Sequence, residues 1–486
     1  IRSAKAMEPA ASRTPGALGL QLLLCSSLLL NAFLVARHLL SASPPPSELL
    51  GGGSLSWALR AAREAESVAV TGCSGHGRVF LDGIVGEDGR PGCECNTCFQ
   101  GADCSVRTPD CTVNADSGDP MFLEPYWMRH AEASAVVFSG WHRMSYRATN
   151  GLFQSVELER SIERLHRAVG NAVPDGKHMV FGTGSVQLIS ALVYALSPDS
   201  NSGSSASVVA TAPYYPAYRT GIVLFDSREN HWEGNTARWA NGTAGNSTKK
   251  NEDVIEFVTS PNNPDAVLRR PVVGGASAIV DHAYYWPHFT HIPAPADEDV
   301  MLFTVSKLSG HASSRFGWAL IRDEKVAQRA KDYIMQNTMG ASRDTQLRML
   351  TIINAILANL HGEEDIFAFG QDVMTAKWRR LNAVVSRSRR ISLQKIPPQY
   401  CTYFGNIREP SPAYAWMKCE MEEDGDCYEM LLKAKIVTRS GIWNDASSRY
   451  TRISLLKSQD DFDLLLERLT ELVDAEMDTT SASNSM

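Results

Sequence analysis

The sequence predicts an α/β protein: an open, mostly parallel sheet with helices on its faces, preceded by a small disulfide-rich module. Three observations carry this. Short apolar runs recur at His178-Met179-Val180-Phe181, Val208-Val209-Ala210, Val254-Ile255-Glu256-Phe257-Val258, Ala278-Ile279-Val280 and Val300-Met301-Leu302-Phe303. Helical patterns accompany them: Val156, Leu158, Ile162, Leu165 and Val169 recur at helical spacing before Gly170, and Val186 to Val193 follow the first strand. Six cysteines (Cys73, Cys93, Cys95, Cys98, Cys104, Cys111) cluster in a glycine-rich stretch with few large apolar groups.

With 486 residues, 44% of them hydrophobic, the chain is long enough for more than one domain. A net charge of −7 and the absence of a long basic run argue against nucleic acid as a partner. Met7 reads as the start, with residues 1–6 a translated leader. From Ala17 to Ala36 no charge appears, and Arg13 and Arg37 flank the run. It is just long enough to cross a bilayer, so an uncleaved signal anchor is the preferred reading and a cleaved signal peptide the other. Residues 41–56, rich in Pro, Gly and Ser, read as a linker or stalk.

The cysteine stretch, within 57–112, cannot fold on hydrophobic burial alone. Three disulfides would supply the missing stability in an oxidising compartment. Zinc is the rival reading for Cys95-x-x-Cys98, but no second matching pair or histidines at ligand spacing accompany it. Asn241-Gly242-Thr243 and Asn246-Ser247-Thr248 are glycosylation acceptors that agree with a lumenal body.

Each predicted strand ends in a polar or aromatic cluster. In an open parallel sheet those carboxyl-terminal ends line one crevice. Gly182-Thr183-Gly184-Ser185 turns a strand into a helix and aims free N–H groups at one spot, a seat for phosphate built on Thr183, Gly184 and Ser185. Tyr215 could stack on a flat ring, and Asn263 and Tyr284 could hydrogen-bond its phenolate oxygen. Asp281 could keep a pyridine nitrogen protonated, and Arg315 could pair with phosphate through its planar fork. Lys307, among small hydroxyl and glycine residues at a strand's end, suits a Schiff base. Singly, each also has an ordinary role as cap, turn, packing residue or surface ion pair.

In this order the motifs resemble the fold-type I, aspartate-aminotransferase-like pyridoxal-phosphate enzymes. Ser306-Lys307-Leu308-Ser309-Gly310-His311-Ala312-Ser313-Ser314-Arg315-Phe316-Gly317-Trp318 is similar to the plant alliinase and tryptophan-aminotransferase-related group. So are Ser139-Gly140-Trp141-His142-Arg143-Met144-Ser145-Tyr146 and Val280-Asp281-His282-Ala283-Tyr284-Tyr285-Trp286-Pro287. The cysteine cluster resembles the EGF-like module of some members. Ser309 and Ser313 depart from the group's usual Thr-Gly-His-Ala-Gly-Ser-Arg, and both are small replacements.

The resemblance implies pyridoxal 5'-phosphate as cofactor, bonded to Lys307, with no metal. It implies phosphate contacts from Thr183, Gly184, Ser185, Thr304, Ser306 and Arg315, and from Tyr146 of the other subunit in a homodimer. It implies a large domain over 113–385, a smaller α+β domain over 386–478 and Arg452 as the seat of the substrate carboxylate. It also implies a Cys419–Cys427 disulfide, leaving Cys401 free. Residues 479–486 read as a disordered tail.

Two reactions share these residues. The first reading is amino transfer from L-tryptophan to a keto acid such as pyruvate, giving indole-3-pyruvate, an auxin precursor, in an enzyme anchored in the secretory pathway membrane with a lumenal body. The second is an alliinase-type C–S lyase acting on S-alkyl cysteine sulfoxides, vacuolar or secreted if the apolar run is cleaved. A third, non-catalytic reading is a cell-surface binding protein that uses the cysteine module.

Overall fold

The structure is a computed structural model that describes residues 56–86, 89–149, 151–199, 201–240 and 253–484. The apolar run 17–36, nearly all of the linker and both glycosylation acceptors lie outside the described residues. Among the described residues no helix is long and apolar enough to cross a membrane.

A helix, Trp57–Ala69, comes first. The cysteine module that follows contains only short ladders, such as Gly77–Val79 antiparallel to Cys93–Cys95. Cross-links do the work of a core: Cys73–Cys93, Cys95–Cys104 and Cys98–Cys111 are paired, so the zinc alternative at Cys95 and Cys98 has no free thiols to use. The module docks on the C-terminal helix through polar contacts. Asp460 Oδ2 takes hydrogen bonds from His76 at 3.0 Å and Asn96 at 2.7 Å, and Arg107 pairs with Glu467 at 2.7 Å.

The large domain is built on seven strands: β1 His178–Gly182, β2 Ala206–Ala210, β3 Asn230–Asn235, β4 Val254–Thr259, β5 Ser277–Asp281, β6 Val300–Thr304 and β7 Gly317–Ile321. Their order across the sheet is β1-β7-β6-β5-β4-β2-β3. Only β7 runs antiparallel to its neighbours, so the predicted parallel sheet is mixed by one strand. Both faces are buried. Along β6, Val300 and Leu302 join one apolar cluster while Met301 and Phe303 join the other, as the two-residue period of a strand requires.

The helices follow the predicted pattern. In α1 (Val156–Val169) the Ser155 side chain accepts from Leu158 N–H at 3.3 Å, and Gly170 ends the helix at φ 69°. The later helices needed here are α2 (Gly184–Leu196), α3 (Ala217–Phe225), α4 (Val305–Leu308) and α5 (Ile366–Val385). The small domain is a four-stranded antiparallel sheet of β8 (Ile391–Leu393), β9 (Tyr414–Cys419), β10 (Arg439–Ser440) and β11 (Tyr450–Ser454), in the order β8-β9-β11-β10. Cys419 and Cys427 are bonded and Cys401 is free and buried, as the resemblance implied.

Two boundaries differ from the sequence reading. Val113–Asn114 pairs with Ile436–Val437, and Ser454 N–H bonds Ala115 O at 2.7 Å, so the chain after the cysteine module first joins the small domain. A two-residue strand leaves no periodic signal. The final helix, Gln459–Asn484, continues through 479–484, where a disordered tail was expected; extending a helix that is already nucleated is easy.

Lys377 on α5 ties the domains together. Its buried Nζ donates to Leu455 O at 3.2 Å and Lys457 O at 2.7 Å, just past β11. Burial lowers its pKa to about 7 despite the nearby Asp461. The unfolded chain therefore binds more protons between about pH 7 and the ordinary lysine value of 10.5, and stability rises with pH across that window. Chemical denaturation at pH 7 and pH 10 should show the wild-type protein gaining on Lys377→Met as pH rises. A difference that does not change with pH would contradict this.

Candidate active site

The carboxyl ends of β4, β5 and β6 open into a cavity of about 250 Å³ that the small domain closes from the other side. It brings together Ser185, Tyr215, Asn263, Asp281, Tyr284, Thr304, Ser306, Lys307, Arg315 and Arg452, residues singled out from separate stretches of the sequence.

At its centre is Lys307, on the single-turn helix α4 directly after β6. Thr304 starts that turn: its side-chain oxygen accepts from Ser306 N–H at 3.2 Å and its hydroxyl donates to Phe316 O at 3.1 Å. His288 fixes the lysine backbone through a 3.0 Å bond to Lys307 O, and burial keeps that imidazole neutral by lowering its pKa to about 3. The Lys307 ammonium donates to Gly118 O and sits 5.6 Å from the Tyr284 ring centre. Burial lowers its pKa; Tyr414 pulls the other way, and Arg452 and Arg315 add to the lowering.

Asp281, at the end of β5, is buried and held in place. Oδ2 accepts from the Tyr218 hydroxyl at 2.8 Å and Oδ1 from Ala283 N–H at 3.0 Å. Burial raises its pKa while these donors oppose the rise. Tyr218, on α3, stacks on Phe257 with 4.2 Å between ring centres.

Across the cavity Tyr284 and Tyr414 share a 2.6 Å hydrogen bond. Burial and the neighbouring Tyr414 push the Tyr284 hydroxyl well above its ordinary value. For Tyr414 burial is outweighed by Arg452, Lys307 and the bond from Tyr284, which bring it below. The Arg452 guanidinium lies 4.1 Å from the Tyr414 ring centre and donates to Asn263 Oδ1 at 3.0 Å, so the small domain reaches into the large one.

At the turn expected to seat phosphate the local geometry follows the sequence: strand, glycine-bearing turn, helix. Helix α2 has no side-chain cap, which leaves its first N–H groups free. Gly184 has φ +76°, and a Cβ there would overlap the Arg315 guanidinium. Thr183 lies on an adjoining groove with Arg315 rather than in the cavity. Tyr146 is 72% exposed and away from the cavity of its own chain.

Comparison with known proteins fits this geometry. The family model described as allinase matches residues 113–473, and that of the alliinase EGF-like domain matches residues 56–111. The chain belongs to the alliinase family. It is 48% identical over 430 residues to tryptophan aminotransferase-related protein 4 of Arabidopsis thaliana, covering 87% of this chain and 92% of that one. It is also 48% identical over 436 residues to alliin lyase of Allium cepa var. aggregatum, covering 87% and 96%. A solved aminotransferase from Staphylococcus aureus shares the fold, with a TM-score of 0.55 at 16% identity over 76% of this chain and 95% of that one.

The alliinase family and its fold use pyridoxal phosphate, and this chain's residues fit that group. An uncapped helix and Arg315 suit its phosphate, Asp281 its ring nitrogen and Lys307 its aldehyde. Arg452 Nε is buried without a partner beside them, a donor waiting for an acceptor. Sequence reasoning missed Gly118, Tyr218, His288, Tyr414 and Arg439. Tyr218, in Pro216-Ala217-Tyr218, is one turn beyond the Tyr215 that was noticed, and helical spacing could have suggested it.

Tyr218→Phe removes the donor from Asp281 but keeps the ring packed on Phe257. Cofactor affinity, read by titrating the cofactor-free protein with pyridoxal phosphate, should fall about tenfold. Unchanged affinity would show that this bond does not govern the carboxylate.

Proposed function

We propose that this alliinase-family enzyme is an aminotransferase of the tryptophan-aminotransferase-related type, moving the amino group of L-tryptophan to pyruvate and releasing indole-3-pyruvate. The observation that carries the reading is Lys307: a partly buried amine of lowered basicity that lines one cavity with the Asp281 carboxylate, the Arg315 guanidinium and Arg452. When bound, pyridoxal phosphate supplies an aldehyde for the amino acid's nitrogen and a ring that takes up electrons from Cα.

This chain's residues do the rest. Arg452 holds the α-carboxylate, and Asn263 fixes that guanidinium. Lys307 Nζ takes the Cα proton, a role that burial favours by lowering its pKa and so its hold on a proton of its own. The aromatic faces of Tyr215, Tyr284 and Tyr414 support a flat side chain. The 48% identity to tryptophan aminotransferase-related protein 4 agrees.

A second reading, C–S lysis of S-alkyl cysteine sulfoxides, has its own support. Apart from the tyrosines and the small aliphatic groups of Val186, Ala283 and Ala312, the cavity is lined mostly by hydroxyl, amide and charged groups, and alliin lyase is as similar as the aminotransferase-related proteins. In either case we place the enzyme in the secretory pathway or vacuole, because four disulfides need an oxidising compartment. Residues 17–36 would be an anchor or a cleaved signal. A homodimer in which Tyr146 reaches the partner's phosphate seat accounts for its exposure here.

Purified protein is incubated with L-tryptophan plus pyruvate, and separately with alliin. Indole-3-pyruvate from the first is expected. Pyruvate released from alliin, with tryptophan untouched, would establish the lyase instead. Lys307→Ala should abolish turnover and the visible absorbance of the bound cofactor. A colourless wild-type protein would contradict both enzymatic readings.

A further inference from the structure

Two arginines, not one, face the cavity from the small domain. Arg439 on β10 is paired in register with Arg452 on β11, and both line the pocket. Asp116 serves both. Its Oδ1 accepts from Arg439 Nε at 2.7 Å and Arg452 Nη2 at 3.2 Å, its Oδ2 from Arg439 Nη2 at 3.2 Å, and its backbone O from Arg452 Nη2 at 2.6 Å.

Asp116 does not itself line the cavity, so it acts as a counterion behind the guanidiniums. It is also held in place. Asn114 Oδ1 accepts from Asp116 N–H at 3.0 Å, in the segment that pairs with Ile436–Val437. Two guanidiniums and one carboxylate leave a single net positive charge, enough for one carboxylate of a substrate. The other charges of the cavity have partners of their own: Arg315 at the phosphate seat, Asp281 at the ring nitrogen, and Asp119 facing Lys307.

We propose that Asp116 restricts this pocket to amino and keto acids with one carboxylate by neutralising Arg439, which would otherwise take a second. The proposal rests on the reading of Arg452 as a carboxylate seat. It makes Asp116 and Arg439 residues that decide specificity, with Asp116 acting through the two arginines.

The test uses the cofactor-loaded enzyme. Propionate and succinate are titrated against the cofactor absorbance, and KM is compared for pyruvate and 2-oxoglutarate. Wild-type protein should prefer propionate and pyruvate. Asp116→Asn should shift both ratios toward the dicarboxylate by about tenfold or more, since one uncompensated charge a few ångströms away has at least that effect. Asp116→Glu should keep the wild-type ratios, and adding Arg439→Gln to Asp116→Asn should cancel the shift.

If propionate binds but Asp116→Asn leaves the ratio unmoved, this inference is wrong while the carboxylate seat stands. If neither acid binds the wild-type protein, the seat is wrong, and the proposed function fails with the inference. Should Asp116→Asn not fold, Arg439→Gln alone gives the answer. It leaves Asp116 to cancel Arg452, so propionate should bind about tenfold more weakly. Undiminished propionate binding would overturn the inference.

Discussion

Burial of one amine organises this molecule. Lys307 stands at the end of a strand enclosed on both faces, and its ammonium sits in the cavity beside Tyr284, Tyr414 and the Gly118 carbonyl. A charged amine in such a place is unfavourable, and burial lowers its pKa accordingly. Several otherwise separate features serve to hold it. Thr304 shapes the turn, His288 grips the backbone carbonyl and Gly118 leaves room: a Cβ there would lie 3.2 Å from Nζ and 2.8 Å from the Tyr414 hydroxyl.

The second constraint is that the site belongs to two domains. The large domain supplies Ser185, Arg315, Asp281 and Lys307, whereas Tyr414, Arg439 and Arg452 come from the small one. Their relative position is fixed by bonds across the cleft. Asn263 holds Arg452, and Asn444 is joined twice to Tyr214, accepting from its N–H at 3.1 Å and donating to its carbonyl at 2.9 Å. The segment at 113–119 belongs to this system too. It leaves the cysteine module, pairs with the small domain and delivers Asp116 and Gly118 to the arginines and the lysine.

The sequence was most legible where the physics is local. Buried strands show as apolar runs, Ser155 and Gly170 mark the ends of a helix, and Gly184 marks a backbone conformation that other residues rarely adopt. Of the ten predicted residues in the cavity, those of the large domain meet because its strands end at a common edge, and Arg452 joins them from the small domain. What stayed hidden depends on contacts far apart in the chain. Tyr414 touches Tyr284 across 130 residues, Arg452 meets Asp116 across 336, and β7 shows its reversed direction only in its ladder with β6. Strands of two residues, like Val113–Asn114, are too short to have a period at all.

We propose that Lys307 is the amine that bonds the cofactor aldehyde. The most direct test is chemical: the cofactor-loaded protein is reduced with borohydride, digested, and the labelled peptide identified by mass spectrometry. A pyridoxyl group is expected on Lys307 and on no other lysine. A label on a different lysine, or none on a protein that retains the cofactor, would contradict it.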